Sequence, residues 1–468
     1  MTALVWYTRD LRVRDLPALR AALDAHERVV PVFCLDDRLL HGRHASGSRT
    51  RFMLECLNDL DAALGQRGSG LVIRRGPPER ELPALAEAVG AAAVYASADS
   101  GPFARGRARR LRDALETVDA TLEEEPGLHA VDDLDAVRTG AGTPYTVFSP
   151  FHRTWLQEPR RPVHRAPREL PPLPSKLATG RIPSLASLGL TTDVTDPPKG
   201  GEEEALRRLS RFLDGRVERY ADAHDRPAEP GTSRLSPYLH FGCVSPRELE
   251  QRARDAGGPG AAAFVRQLAW RDFYAHVLLH HPGNTRHAHR REFDRLEWDD
   301  DAALLDAWRE GRTGYPVVDA AMRQLLACGW MHNRGRLIAG SFLTKHLHLD
   351  WREGEAHFMR HLLCGDEASN NGNWQWIASV GVDPAPPFRR MYNPMTQQRR
   401  HDPDGEYVRR WVPELRAVPL AKLAEPWTMS EDEQRAAGCV IGEDYPAPVV
   451  DHGHERKRAM ARYGAVRR

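Results

Sequence analysis

The sequence predicts an α/β domain built on a doubly wound parallel sheet, joined to an all-α domain. Three observations predict it. Apolar runs alternate with amphipathic helical stretches over residues 1–130; helical patterning dominates over 201–468; and between them lies a connector, 131–200, whose later part is rich in Pro, Arg and Ser.

Taken in order, Ala3-Leu4-Val5-Trp6-Tyr7 reads as the first strand and Pro17 to His26 as an amphipathic helix. Val29 to Leu35, Leu71 to Arg75 and Ala91 to Ala96 are further strand-like runs, each separated by helical patterns. No Gly-x-Gly-x-x-Gly and no Walker loop follows the first strand, which weighs against a nucleotide site in this domain. Residues 157–200, with Pro171-Pro172-Leu173-Pro174, are too long for a turn and are expected to lie along both domains.

A length of 468 residues allows two to three domains and an ample core. Lys+Arg total 66 against 65 Asp+Glu, so net charge names no partner, although it leaves room for a locally basic face. Lysine occurs only at 176, 199, 345, 422 and 457; the positive charge is nearly all Arg. The six cysteines are scattered, with no metal-ligand spacing, disulfide framework or signal peptide, as in reduced thiols of a cytoplasmic protein. No apolar run is long enough to span a bilayer. The expectation is a soluble monomer without a metal.

The chemistry concentrates between Trp330 and Trp376. Gly329-Trp330-Met331-His332-Asn333-Arg334-Gly335-Arg336 opens the stretch and Gly365-Asp366-Glu367-Ala368-Ser369-Asn370-Asn371-Gly372-Asn373-Trp374-Gln375-Trp376 closes it. Arg, Asn and Asp recur at helical spacing where a structural helix carries Leu and Ala. Inward polar groups with aromatics between them describe a cavity for a large, planar, polar-edged ligand. Gly231-Thr232-Ser233-Arg234-Leu235-Ser236 is a hydroxyl-rich turn entering a helix: an N-cap taken alone, a phosphate site if a ligand is present, with Tyr220 shortly upstream. Gln267, Trp270, Arg271 and Tyr274 form one helical stripe, either a solvated face or a wall that stacks on a base.

These motifs, in order, resemble the cryptochrome/DNA photolyase family, closest to the microbial (class I type) cyclobutane pyrimidine dimer photolyases. The resemblance covers nearly the whole chain: Tyr7-Thr8-Arg9-Asp10-Leu11-Arg12, Pro144-Tyr145-Thr146-Val147-Phe148-Ser149-Pro150-Phe151, Trp270-Arg271-Asp272-Phe273-Tyr274, Gly314-Tyr315-Pro316-Val317-Val318-Asp319 and Tyr392-Asn393-Pro394 join those above. It implies an antenna domain, of unread chromophore, joined to a helical domain holding FAD. Carried over by position, Tyr220, Thr232, Ser233, Arg234, Leu235 and Ser236 grip the diphosphate side. Arg271, Asn333, Arg336, Asp366 and Asn370 surround the flavin, and Trp374, Trp351 and Trp298 form an electron chain. Gln267, Trp270 and Trp376 match lesion-pocket positions; Arg334 and Arg389 match contacts to the DNA backbone. The implied activity is light-driven splitting of pyrimidine dimers in damaged DNA by electron transfer from reduced FAD. The alternatives are a cryptochrome-type photoreceptor, a (6-4) photolyase, or a flavoprotein that has lost its photochemistry.

The sequence departs from the pattern in four places. Gln267 replaces a Glu of the dimer photolyases and supplies no proton. It matches the (6-4) enzymes, yet their two histidines are absent from Asn333 and Leu337, and Leu337 also replaces a Met. Cys364 stands where an Asp partners the equivalent of Arg336, so Arg336 is expected to find the flavin or Asp366 instead. Leu16 replaces an Asn after Asp15.

Overall fold

In the computed structural model, which describes residues 1–383 and 385–466, five strands form one parallel sheet. They are β1 (Thr2–Tyr7), β2 (Arg28–Leu35), β3 (Val72–Arg75), β4 (Ala91–Ser97) and β5 (Thr121–Glu125), in the order β3-β2-β1-β4-β5. β1 is buried at all six positions, as a central strand covered on both faces must be. β5, Thr-Leu-Glu-Glu-Glu, was not expected. It is an edge strand whose Leu122 alone is fully buried, so its charges hide the strand pattern while discouraging further pairing. Helices Pro17–Ala25, Gly47–Gly65, Pro78–Val89 and Pro102–Glu116 connect the strands.

Within the connector, 131–200, lie one helix, Phe148–Gln157, and a short turn at Ala186–Leu188; its later part is otherwise irregular. It runs beside the exposed edge of β3, where the Ile73 amide donates to the Thr179 carbonyl at 2.7 Å. It then reaches the helical half, where the Thr195 amide donates to Ala327 at 3.1 Å.

One apolar core spans the two halves. It runs from β1 and the Gly47–Gly65 helix through Phe148, Phe151 and Trp155 into Phe212, Tyr220, Phe264 and Phe273. A second core, containing Trp308, Trp351 and Trp374, lies within the later helices. Two of these helices, Asn333–Lys345 and Glu367–Ala378, meet the Trp351–His361 helix and frame the site described next. Among the described residues, no helix is long and apolar enough to cross a membrane, and no cluster of His, Cys, Asp and Glu is arranged to hold a metal.

Candidate functional site

The Glu367–Ala378 helix begins where Asp366 accepts the Ser369 amide at 2.9 Å, a cap that fixes which residues face inward. One turn on, Asn370 is 8 % exposed and donates through Nδ2 to the Glu355 carbonyl at 3.0 Å. A further turn on lies Trp374. Its ring sits against two glycines: a Cβ on Gly354 would come within 2.1 Å of it, and one on Gly340 within 3.5 Å. Those glycines belong to the Trp351–His361 and Asn333–Lys345 helices, so close backbone approach is what holds the indole in place.

Asn370 and Trp374 line a cavity with Asn333, Arg336, Leu337, Phe358, Leu362, Cys364, Ser369, Asn373 and Ile377. Amide groups and one guanidinium stand at its edges, and apolar side chains make its walls. That donor set suits an isoalloxazine, a planar ring with a polar rim and apolar faces.

Trp374 and Trp351 are buried, and Trp298 is half-buried. Asp299 pairs with Leu349, its amide donating to the His348 carbonyl at 2.8 Å, which sets Trp298 beside the start of the Trp351 helix. A fourth indole, Trp308, went unremarked in the sequence. It is fully buried with its ring 6.1 Å from Trp374, and its Nε1 donates to the Ala339 carbonyl.

The hydroxyl-rich turn does not line this cavity, yet it is tied to it. Arg234, at φ 53°, lays its guanidinium 4.6 Å from the Trp330 ring, three residues before Asn333. Leu235 is buried, Thr232, Ser233 and Ser236 are half-buried, and Ser233 Oγ accepts the Leu235 amide at 3.4 Å. Tyr220 packs edge-on against Phe212 and Phe264.

Two residues expected around the flavin have other partners. Asp366 receives Nη1 of Arg9 at 2.7 Å, and the same guanidinium donates to Asp99 at 3.1 and 3.3 Å. Burial raises the Asp366 pKa, but the nearby Arg9 and Arg271 outweigh it and hold the carboxyl far below its usual value. Arg271 donates to the carbonyls of Leu128 at 2.7 Å and Leu239 at 3.4 Å. Burial lowers the neighbouring His240 to about 3, leaving it neutral. Asp366 is therefore not the substitute acceptor for Arg336. A carboxylate already paired with Arg9 has little left to offer, and Arg336 turns instead to the Met331 carbonyl at 3.0 Å and the Cys364 thiol at 3.4 Å.

The outward-facing residues divide similarly. Trp270 stacks on Phe148 with ring centroids 3.7 Å apart and planes 6° from parallel, so one of its faces is covered. Gln267, one turn earlier, is exposed. Trp376 lies under Arg390 at 4.2 Å and donates to Asp383 at 3.2 Å. Arg389 is exposed, next to the exposed Phe388. Arg334 departs from the expectation: its guanidinium is paired with Asp225 and mostly buried, so the arrangement seen does not present it to a phosphate.

With this geometry in view, known proteins agree over the whole chain. Residues 3–174 match the family model for DNA photolyase, and residues 264–465 match that for the FAD binding domain of DNA photolyase. A deoxyribodipyrimidine photo-lyase of Streptomyces griseus is 43 % identical over 458 residues, 97 % of this chain and 98 % of that protein. Among solved structures, a class III photolyase from Agrobacterium tumefaciens superposes with TM-score 0.93 at 35 % identity, covering 100 % of this chain and 98 % of its own. A cryptochrome from Synechocystis gives 0.91 at 29 % identity, covering 98 % of each. The chain belongs to the cryptochrome/DNA photolyase family.

Proposed function

We propose that this protein splits cyclobutane pyrimidine dimers in damaged DNA, in light, with FAD in the cavity between Asn370 and Arg336. One observation carries the reading. A single helix, Glu367–Ala378, turns Asn370 and Trp374 to the cavity and carries the half-exposed Trp376 in its last turn. Bound FAD supplies the light-absorbing, electron-transferring chemistry. The protein's part is to hold and orient it. Asn333 and Asn370 offer amides to the ring's rim, and Leu337, Phe358 and Leu362 keep water from its faces. The turn from Thr232 to Ser236 takes the diphosphate on backbone amides and hydroxyls.

Trp374, Trp351 and Trp298 would offer oxidisable rings between the cavity and solvent, through which a bound flavin could be reduced. On the other side, Trp270, with Gln267 and Trp376, receives the dimer, two adjacent bases of one strand, swung out of the duplex. A damaged pair is weakly stacked, so extrusion costs only about a few kcal/mol. Arg389 meets the phosphates.

The test is to illuminate the purified, reduced protein with a synthetic oligonucleotide carrying one thymine dimer. Restored thymines support the reading. Photoreduction of the flavin without repair would favour the photoreceptor alternative, to which the Synechocystis cryptochrome likeness and Gln267 lend weight. A colourless protein that takes up no FAD would sink both.

A further inference from the structure

Of the residues lining the cavity only Arg336 is charged, and among the described residues it has no carboxylate partner. Three groups surround the place where one would sit. Cys364 presents a thiol, buried and 3.4 Å from Nη2. Asp366, two residues on, is taken by Arg9. Arg49 reaches across from the Gly47–Gly65 helix, close enough that a Cβ on Gly365 would strike its Nη1. Its guanidinium is spent on the carbonyls of His44, Met359 and Leu362. Burial lowers the Arg49 pKa to about 10, so it stays cationic at neutral pH. The ground around Cys364 thus holds two guanidiniums with no acid between them.

A partly buried cation left without an internal counter-ion favours an anion in the neighbouring space. The isoalloxazine ring is neutral when oxidised and carries a negative charge when reduced and deprotonated. Resting on the FAD reading above, we infer that Cys364 is a tuning position. Its neutral thiol leaves the charge of Arg336 to the ligand, so the cavity holds the reduced, anionic ring more tightly than the oxidised, neutral one. A carboxylate at 364 would neutralise Arg336 internally and remove that preference.

The full-length, FAD-loaded chain tests this through the midpoint potential of the bound flavin, compared among wild type, Cys364→Asp, Cys364→Ser and Arg336→Gln. Cys364→Asp is expected to lower the ratio of reduced to oxidised affinity about tenfold, a fall of about 30 mV for a two-electron couple. Arg336→Gln falls in the same direction, and Cys364→Ser, neutral like the native thiol, stays at the wild-type potential. A merely structural role would perturb stability in all three variants and leave the potential where it was. Wild-type potentials in both Cys364→Asp and Arg336→Gln overturn the inference. So does an equal loss of affinity for both redox forms in Arg336→Gln, which would put that guanidinium on the diphosphate. If Cys364→Asp fails to fold, Cys364→Ser and Arg336→Gln decide the question. A wild-type chain that binds no FAD defeats the underlying reading together with the inference, whereas FAD uptake with unmoved potentials defeats the inference alone.

Discussion

The two faces of the Glu367–Ala378 helix bear opposite loads. On one, Asn370, Trp374 and Ile377 border a cavity and leave polar groups available to a ligand. On the other, Asn371 and Gln375 are saturated. Gln375 donates to the carbonyls of Asn284 at 2.9 Å and His287 at 3.0 Å and to Asn371 at 3.1 Å, while it accepts the His289 amide at 2.8 Å. Asn371 donates to Asn284 at 3.0 Å. The same residue types at adjacent positions therefore serve ligand on one side and loop on the other. The satisfied face fixes the helix so that the open face stays in register. Substitutions on the two faces should separate photochemistry from stability.

The largest separation is expected at Trp374→Phe. A phenyl ring fills most of the slot between Gly354 and Gly340 but is far harder to oxidise, so flavin photoreduction should be all but lost. The protein should still bind FAD and remain folded. Bleaching of the flavin absorption under blue light, followed beside urea unfolding, measures both. Photoreduction at the wild-type rate would remove Trp374 from the path and leave Trp308, its ring neighbour, as the indole to examine.

Next in size is the cap that serves both faces. Arg9→Gln leaves Asp366 and Asp99 without their shared guanidinium. Removing one partner of such a partly buried group is expected to cost about 3 kcal/mol in urea unfolding. The pH dependence follows from the depressed Asp366 pKa. Its stabilisation is fully present above the ordinary carboxylate value, about 3.9, and is lost as pH falls below it toward the lower folded value. Arg9→Gln should therefore flatten the loss of stability below about pH 4. An unchanged acid profile would mean that Arg9 does not set the ionisation of Asp366.

How much of this the sequence disclosed depends on distance along the chain. The stretch from Trp330 to Trp376 was legible because polar and aromatic residues at helical spacing stand out locally, the family resemblance singled out Asn333, Arg336, Asn370 and Trp374 within it, and the cavity gathers all four. The Arg9–Asp366 pair joins residues 357 positions apart, and no periodicity signals such a contact. Only the density of charge in Thr8-Arg9-Asp10, at the end of an apolar strand, offered a clue. β5 escaped because three glutamates mask its alternation. Gln375 and Asn371 looked like more of the same polar run as Asn370; only packing shows that they face the loop rather than the cavity. Arg334 misled for the converse reason: Asp225, its partner, lies on a different element.

Gln375→Ala tests the satisfied face. It strips the His287 carbonyl and the His289 amide of their partner and takes one of two donors from the Asn284 carbonyl, and leaving such groups unpaired should cost about 2 kcal/mol. Photoreduction should persist once the protein is folded, because none of those groups borders the cavity. A lost photoreduction with unchanged stability would reverse the assignment of the two faces.

The smallest effect is also the sharpest comparison, because it asks one question of two neighbouring asparagines. Asn371→Ala removes a buried bond to the Asn284 carbonyl and the oxygen that accepts from Gln375, and is expected to cost about 1.5 kcal/mol, with no change in the flavin spectrum. Asn370→Ala removes one bond to the Glu355 carbonyl, a similar loss in stability, but it also takes an amide from the cavity wall. The redox forms of the flavin that accumulate under light should change in the second variant and not in the first. Absorption spectra recorded during illumination distinguish them. Identical spectra in both would mean that Asn370, like Asn371, serves only the packing of its helix, and the ligand would then have to sit nearer Asn333 and Arg336.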